Sequence, residues 1–117
     1  MHDIQAHLKF LPMSAQKVRL VVDLVRGKDA NDAIEMLRFV NKAAALPVRK
    51  LLASAVANAE EKLGISRDDL LVAQIFANEA PTRKWRRFGA RGRFKPILRR
   101  NSHVTVVLRE RGASPEL

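Results

Sequence analysis

Ile4, Ala6, Leu8 and Phe10 alternate with Gln5, His7 and Lys9, the period-two pattern of a strand with one buried face. Pro12 ends that strand. Ser14 then stands as a helix N-cap whose hydroxyl can accept a free first-turn N–H. Val18, Val21, Val22 and Val25 follow at helical spacing, with Arg19, Asp23 and Arg26 on the opposite side in pairing distance, so a helix is expected from Ala15 to Arg26. Gly27 suits the left-handed position that closes it. Asp29 is expected to cap a second helix that buries Ala30, Ala33, Ile34 and Leu37. Asn41 separates it from a third, Lys42 to Leu63, with Val48, Leu52, Ala55, Ala59 and Leu63 in one stripe and Gly64 at its end. Pro47 lacks an N–H and argues for a start nearer Leu46. Leu70–Ala77 is apolar and partly β-branched, a buried strand. Val104, Val106 and Leu108 alternate with Thr105, Val107 and Arg109 in a last one.

Helices and strands that run in blocks predict an α+β fold: three helices packed on a small antiparallel three-stranded sheet. The segment joining the last two strands is too long for an ordinary hairpin loop. It reads as a long protruding basic β-hairpin with its tip near Gly89–Gly92, where glycine permits a turn. Glu79 to Ala90 at about 3.3 Å per residue would project on the order of 35–40 Å. Pro96 cannot donate a ladder bond, which calls for a bulge or an unpaired edge. The chain of 117 residues fits a single domain. Its body is expected over 1–81 and 101–117, and its arm over 82–100.

Charge sharpens the picture. The net charge is +10, and nine of those charges fall in the 19 residues from Thr82 to Arg100, which hold no acid. They are Arg83, Lys84, Arg86, Arg87, Arg91, Arg93, Lys95, Arg99 and Arg100. Residues 1–81 are nearly neutral and 101–117 are neutral. Three of the six aromatic rings, Trp85, Phe88 and Phe94, share the arm. Unscreened cations repel one another and need a counter-surface. Phosphates supply one with counterion release, and rings can stack on unpaired bases. The expected partner is a nucleic acid. A membrane fits less well, because no amphipathic helix gathers these residues.

Other chemistry is poorly supported. There is no cysteine, which removes disulfides, thiol catalysis and cysteine-ligated metals, and suits a reducing cytoplasm. His2, His7 and His103 lack metal-ligand spacing, so no metal and no cofactor is expected. Glu60–Glu61 and Asp68–Asp69 are adjacent pairs that point apart and read as solvated surface. Gly89-Ala90-Arg91-Gly92 matches a GxxG loop, but in extended basic chain rather than between helices, so a plain turn is the better reading. No nucleophile–base set or phosphate-binding loop is present, and no enzyme is expected. No apolar run approaches the roughly 18 residues of a membrane span, and the N-terminus carries no signal-peptide pattern.

The motifs in combination resemble one family. Ser14-Ala15-Gln16-Lys17-Val18-Arg19-Leu20-Val21 and Asp23-Leu24-Val25-Arg26-Gly27-Lys28 are similar to the first helix of the bacterial large-subunit ribosomal protein twenty-two family. Asn41-Lys42-Ala43-Ala44 and Ser54-Ala55-Val56-Ala57-Asn58-Ala59-Glu60 look like its third helix, which in that family starts near Lys42. Ala90-Arg91-Gly92-Arg93, Ile97-Leu98-Arg99-Arg100 and Ser102-His103-Val104-Thr105-Val106-Val107 resemble its hairpin tip and return strand. Gly89 stands where the family usually has a basic residue, and Phe88 where proline is frequent.

The resemblance implies a non-enzymatic structural constituent of the large ribosomal subunit, cytoplasmic. It would bind 23S-type ribosomal RNA, aid assembly and line the nascent-peptide exit tunnel with its hairpin. Partners implied are large-subunit ribosomal RNA, neighbouring large-subunit proteins and the nascent polypeptide, with no membrane and no small-molecule substrate. The RNA-binding candidates are Lys17, Arg19, Arg83, Lys84, Arg86, Arg87, Arg93, Lys95, Arg99, Arg100 and His103. Trp85, Phe88 and Phe94 are candidates for base stacking, and Phe88, Gly89, Ala90, Arg91 and Gly92 for a tunnel-facing tip. The alternative is a free-standing nucleic-acid-binding regulator using the basic arm, although no recognition helix is legible.

Replacing Thr82–Arg100 by a short glycine-containing turn removes nine like charges and little apolar core. Thermal melting followed by circular dichroism should therefore keep a cooperative transition, at an unchanged or slightly higher midpoint. Loss of cooperativity would show that the body leans on the arm.

Overall fold

The computed structural model describes residues 3–81, 83–88 and 94–111. Strand β1 (Ile4–Leu11) leads into helices α1 (Ala15–Val25), α2 (Ala30–Leu37) and α3 (Ala45–Leu63). A single 3-10 turn (Arg67–Asp69) precedes β2 (Leu70–Glu79). Then come β3 (Arg83–Phe88), β4 (Phe94–Arg99) and β5 (Ser102–Glu110). The fold is α+β. Three helices lie over an antiparallel sheet of order β1-β5-β2, and β3 and β4 form a separate two-stranded ladder.

Helix α1 has only 11 residues and is rich in β-branched valine, so its intrinsic helicity is weak. Packing holds it. Val18, Val21, Val22 and Val25 are fully buried, and burying a valine contributes on the order of 1.5–3 kcal/mol. The Ser14 hydroxyl accepts from Lys17 N–H at 3.4 Å, as an N-cap should. The helix ends one residue earlier than the pattern implied. Arg26 is extended (φ −63°, ψ 129°), Gly27 is left-handed (φ 80°), and Lys28 N–H donates to the Val25 carbonyl. This is a type II turn, which requires the positive φ that glycine supplies.

That turn delivers residues 27–29 to the free edge of β2. Gly27 N–H donates to the Val72 carbonyl at 2.9 Å, Val72 N–H donates to the Lys28 carbonyl at 2.8 Å, and Asp29 bridges Leu71. Asp29 occupies the N-cap position of α2 but makes no side-chain cap bond. Its carboxylate instead pairs with Arg111 at 2.7 Å.

Helix α3 begins at Ala45, and the start at Lys42 is corrected by Pro47. A proline in the first helical turn has no acceptor to miss, whereas further in it would break the ladder. Val48, Leu51, Leu52, Ala55, Val56 and Ala59 are buried, and the alanines let α3 lie close to its neighbours. Leu63 continues the stripe but is 43% exposed, because the helix stops there and Gly64 (φ 65°) turns the chain.

Two bulges set the phase of the sheet. In β1, Leu8 opposes Val104 and Leu11 opposes Ser102, so one extra residue is accommodated between them. Alternation would bury Phe10; the bulge corrects this, turning Phe10 out and burying Leu11. In β2, Val72 opposes Leu108 and Gln74 opposes Val107, so the buried set shifts from Leu70 and Val72 to Ile75 and Ala77. The apolar run therefore covers one face, not two.

The β3–β4 register runs unbroken from Arg83↔Arg99 to Phe88↔Phe94 and passes Arg86↔Pro96 without a shift. No bulge forms at Pro96, since each strand of a two-stranded ladder has a free side toward which an absent N–H costs nothing. The expected tip, Gly89 to Gly92, lies outside the described residues.

Asp3 and Arg109 clamp the ends of β1 and β5 through two hydrogen bonds of 2.9 and 3.0 Å. Hydrogen bonding from the Arg109 guanidinium holds the Asp3 carboxyl below the ordinary carboxylate range; burial opposes this more weakly, and the Arg109 charge adds a lesser push downward. A carboxyl depressed in the folded state adds stability above its unfolded pKa of about 3.9, and that increment fades as pH falls through the lower folded value. Asp3→Asn should lower the urea midpoint near neutral pH, and the gap to the parent should close in strong acid. A gap independent of pH would mean that the pair contributes nothing through its charge.

Candidate nucleic-acid interface

A cleft of about 620 Å³ opens where three connections meet the start of α1. The β1–α1 connection contributes Pro12, Met13 and Ser14, and α1 contributes Lys17 and Leu20. The α2–α3 connection adds Lys42, Ala43 and Ala44, and Arg100 enters from the β4–β5 junction. Among the described residues, three cations and no carboxylate line a floor that is largely apolar. Leu20 is 56% exposed there and supplies apolar surface to the cleft. First-turn N–H groups of α1 add positive potential at the same place. An anion with an apolar or aromatic body suits this lining.

Lys17 and Arg100, both named from the sequence, thus come together across some eighty residues of chain. Lys42, which the sequence does not single out as a contact, lines the same cleft. The signal available for it was a cation in the short polar break between two helices, a place where a side chain is held without being buried.

Arg19 is placed differently. Its Nε donates to the Ala77 carbonyl at 3.0 Å, and Arg26 donates through Nε and Nη2 to the Ile75 carbonyl at 3.2 and 2.7 Å. Arg26 also reaches Asp23 at 2.7 Å. The two guanidiniums occupy the outward carbonyls of an edge strand, the groups that would otherwise template pairing with another chain. His103 lies on the sheet face away from the helices, where its Nδ1 accepts from Phe10 N–H at 3.0 Å.

Arg83, Lys84, Trp85, Arg86, Arg87 and Phe88 form β3, while Phe94, Lys95 and Arg99 belong to β4. Arg83 is directly opposite Arg99, and Arg87 opposite Lys95. Like charges directly opposed destabilise a ladder. Arg91 and Arg93, with Gly89, Ala90 and Gly92, lie outside the described residues.

Several of the body's acids are engaged elsewhere, while Glu79 lines a small cavity with Ser14 and Arg100 beside the cleft. Glu60 accepts two bonds from Arg67, and Asp68 accepts from Asn31. Among the described residues no group of three His, Asp or Glu could hold a metal ion, and no helix is long and apolar enough to cross a membrane.

Comparison with known proteins places this geometry. The family described as ribosomal protein L22p/L17e matches residues 6–109, from within β1 to within β5. The chain belongs to the ribosomal protein L22p/L17e family. Among its relatives is the large ribosomal subunit protein uL22 of Pediococcus pentosaceus, 46% identical over 107 residues, which cover 92% of this chain and 91% of the relative. The L22p/L17e match spans the cleft, the guanidinium-covered edge and the β3–β4 ladder together.

Arg19→Ala should cost about 1 kcal/mol of folding stability in the absence of any partner, because the Ala77 carbonyl loses a charged donor. Urea unfolding of the free protein measures this. No change would leave Arg19 with a binding part alone.

Proposed function

We propose that this chain is a structural constituent of the large ribosomal subunit that binds ribosomal RNA through the β3–β4 ladder and the Lys17–Lys42–Arg100 cleft. The observation that carries this reading is the ladder register. It sets Arg83 against Arg99 and Arg87 against Lys95 in a segment without one acid, so the ribbon opposes itself until a polyanion lies along it. Residues 1–81 and 101–117 act as the body and 82–100 as the arm. Lys84, Arg86 and Arg93 add phosphate contacts, Trp85, Phe88 and Phe94 offer stacking surfaces, and residues 88–92 form the tip. In the assembled subunit the arm lines the tunnel through which the nascent polypeptide leaves, and the body meets neighbouring large-subunit proteins. Its place is the cytoplasmic ribosome. Family membership supports this reading, and the cleft supplies a second cationic contact to hold the body while the arm is ordered by RNA.

Binding of the full chain to large-subunit ribosomal RNA should weaken steeply with salt. The log–log slope is expected on the order of −4 to −8 if about six to nine cations meet phosphates. Replacing Lys17 and Lys42 together by glutamine should reduce the slope by about one to two, and removing the arm by more than half. In sucrose gradients of high-salt-washed lysate the protein should travel with the large subunit. Sedimentation apart from ribosomes would reject the assignment, and an arm deletion that leaves the slope intact would move the electrostatic contact to the body.

A further inference from the structure

The helices cover one face of the three-stranded sheet and leave the other open. Two aromatic rings stand on that open face, Phe10 at 54% exposure and Phe76 at 38%. Phe10 is also the one described non-glycine residue with a positive φ, 58°, a left-handed conformation that ordinary L-residues rarely adopt. Burying Leu11 explains why β1 needs a bulge, but not why its strained position carries a large apolar ring turned to solvent. The ring is held in place. Its backbone N–H donates to His103 Nδ1 at 3.0 Å, and the two rings meet edge to face with centroids 4.7 Å apart. Because Nδ1 accepts, the neutral His103 ring carries its proton on Nε2, which has no partner among the described residues.

The neighbouring row is polar, with the Thr105 hydroxyl bonded to His7 Nδ1 at 3.1 Å beside Phe76. Phe10 and Phe76 are on the two outer strands, roughly 10 Å apart across β5. Val107, on the same face of β5, is only 6% exposed, so the apolar surface open to solvent here is two separate rings and not the contiguous apolar core that a protein interface buries. Asp3, the carboxylate at the end of this face, is already committed to Arg109, while Lys9 stands in the strand beside Phe10. The face also sits at the root of the arm, since the ladder continues past it through Ala80 N–H to the Asn101 carbonyl at 3.0 Å.

We propose that the open sheet face is a seat for unpaired RNA nucleotides, with a base stacked on Phe10, His103 Nε2–H donating to the base edge or sugar, and Lys9 beside the phosphate. This rests on the ribosomal-RNA reading above and extends it to a surface outside the ladder and the cleft. Aromatic rings on an antiparallel sheet, flanked by donors, hold single-stranded bases by stacking and edge contacts, and such stacking is sequence-tolerant.

The test is ultraviolet cross-linking of the full chain to a transcript of bacterial large-subunit ribosomal RNA, with nucleotide-bearing peptides mapped by mass spectrometry. Affinities of Phe10→Leu and Phe10→Tyr are measured beside it. Adducts are expected in the peptides of β1 and β5 that hold Phe10 and His103. Phe10→Leu should weaken binding about tenfold while leaving the salt slope unchanged, because no charge is lost, and Phe10→Tyr should bind like the parent. If Phe10→Leu fails to melt cooperatively, the adduct map on the unaltered chain decides. A parent that binds steeply but gives no adduct in β1 or β5, with Phe10→Leu equal to it, overturns the stacking seat and leaves the RNA reading standing. A parent that does not bind the transcript overturns both. Cross-linking of this face to a protein within purified large subunits overturns the seat in favour of a protein contact.

Discussion

Docking of α1 on the edge strand β2 is the contact from which the rest of the arrangement follows. Four buried valines drive it, and polar groups complete it. Arg19 and Arg26 cap the Ala77 and Ile75 carbonyls, and the type II turn at Gly27 returns the backbone to pair with Val72. An edge closed in this way cannot recruit another chain, which matters for a protein whose neighbouring strands run on into a ladder of like charges. The same docking points the first turn of α1 toward the β4–β5 junction, and so brings Lys17 beside Arg100.

Electrostatics then divides the molecule. Among the described residues five acids are matched by bases: Asp23 with Arg26, Glu35 with Arg38, Glu60 with Arg67, Asp29 with Arg111 and Asp3 with Arg109. Pairs of this kind at a surface contribute little to stability individually. The excess charge is left where the chain has no core of its own to build. A two-stranded ladder is marginal alone, and opposed cations make it more so. A counter-surface of opposite charge would stabilise the β3–β4 ladder, which a nearly neutral remainder of the chain carries.

The sheet resolves a different conflict. An antiparallel sheet with helices on one side buries alternate residues, and both outer strands break that alternation with a bulge. The extra residue in β2 keeps Ile75 and Ala77 in the core after Val72, while that in β1 keeps Leu11 in and sends Phe10 out. The exposed ring is pinned by His103 from β5, so the price of a strained backbone is met by a hydrogen bond and an aromatic contact that only the folded pairing supplies.

Local chemistry explains which parts of this were legible along the chain. Helical and strand periods, the Ser14 cap, glycine at positions 27 and 64 and the concentration of charge in 82–100 depend on neighbours a few residues away. They determined the α+β order, the antiparallel sheet and the expectation of a polyanion partner. Residues decided by distant partners were not legible. Asp29 reads as a cap until Arg111 takes its carboxylate, Arg19 reads as a surface contact until the Ala77 carbonyl engages it, and Phe10 reads as core until the β1–β5 register turns it out. Lys42 stays silent until the α2–α3 connection is folded against α1. Each choice was made by a strand or helix tens of residues away, through hydrogen bonds and register that have no period in the sequence.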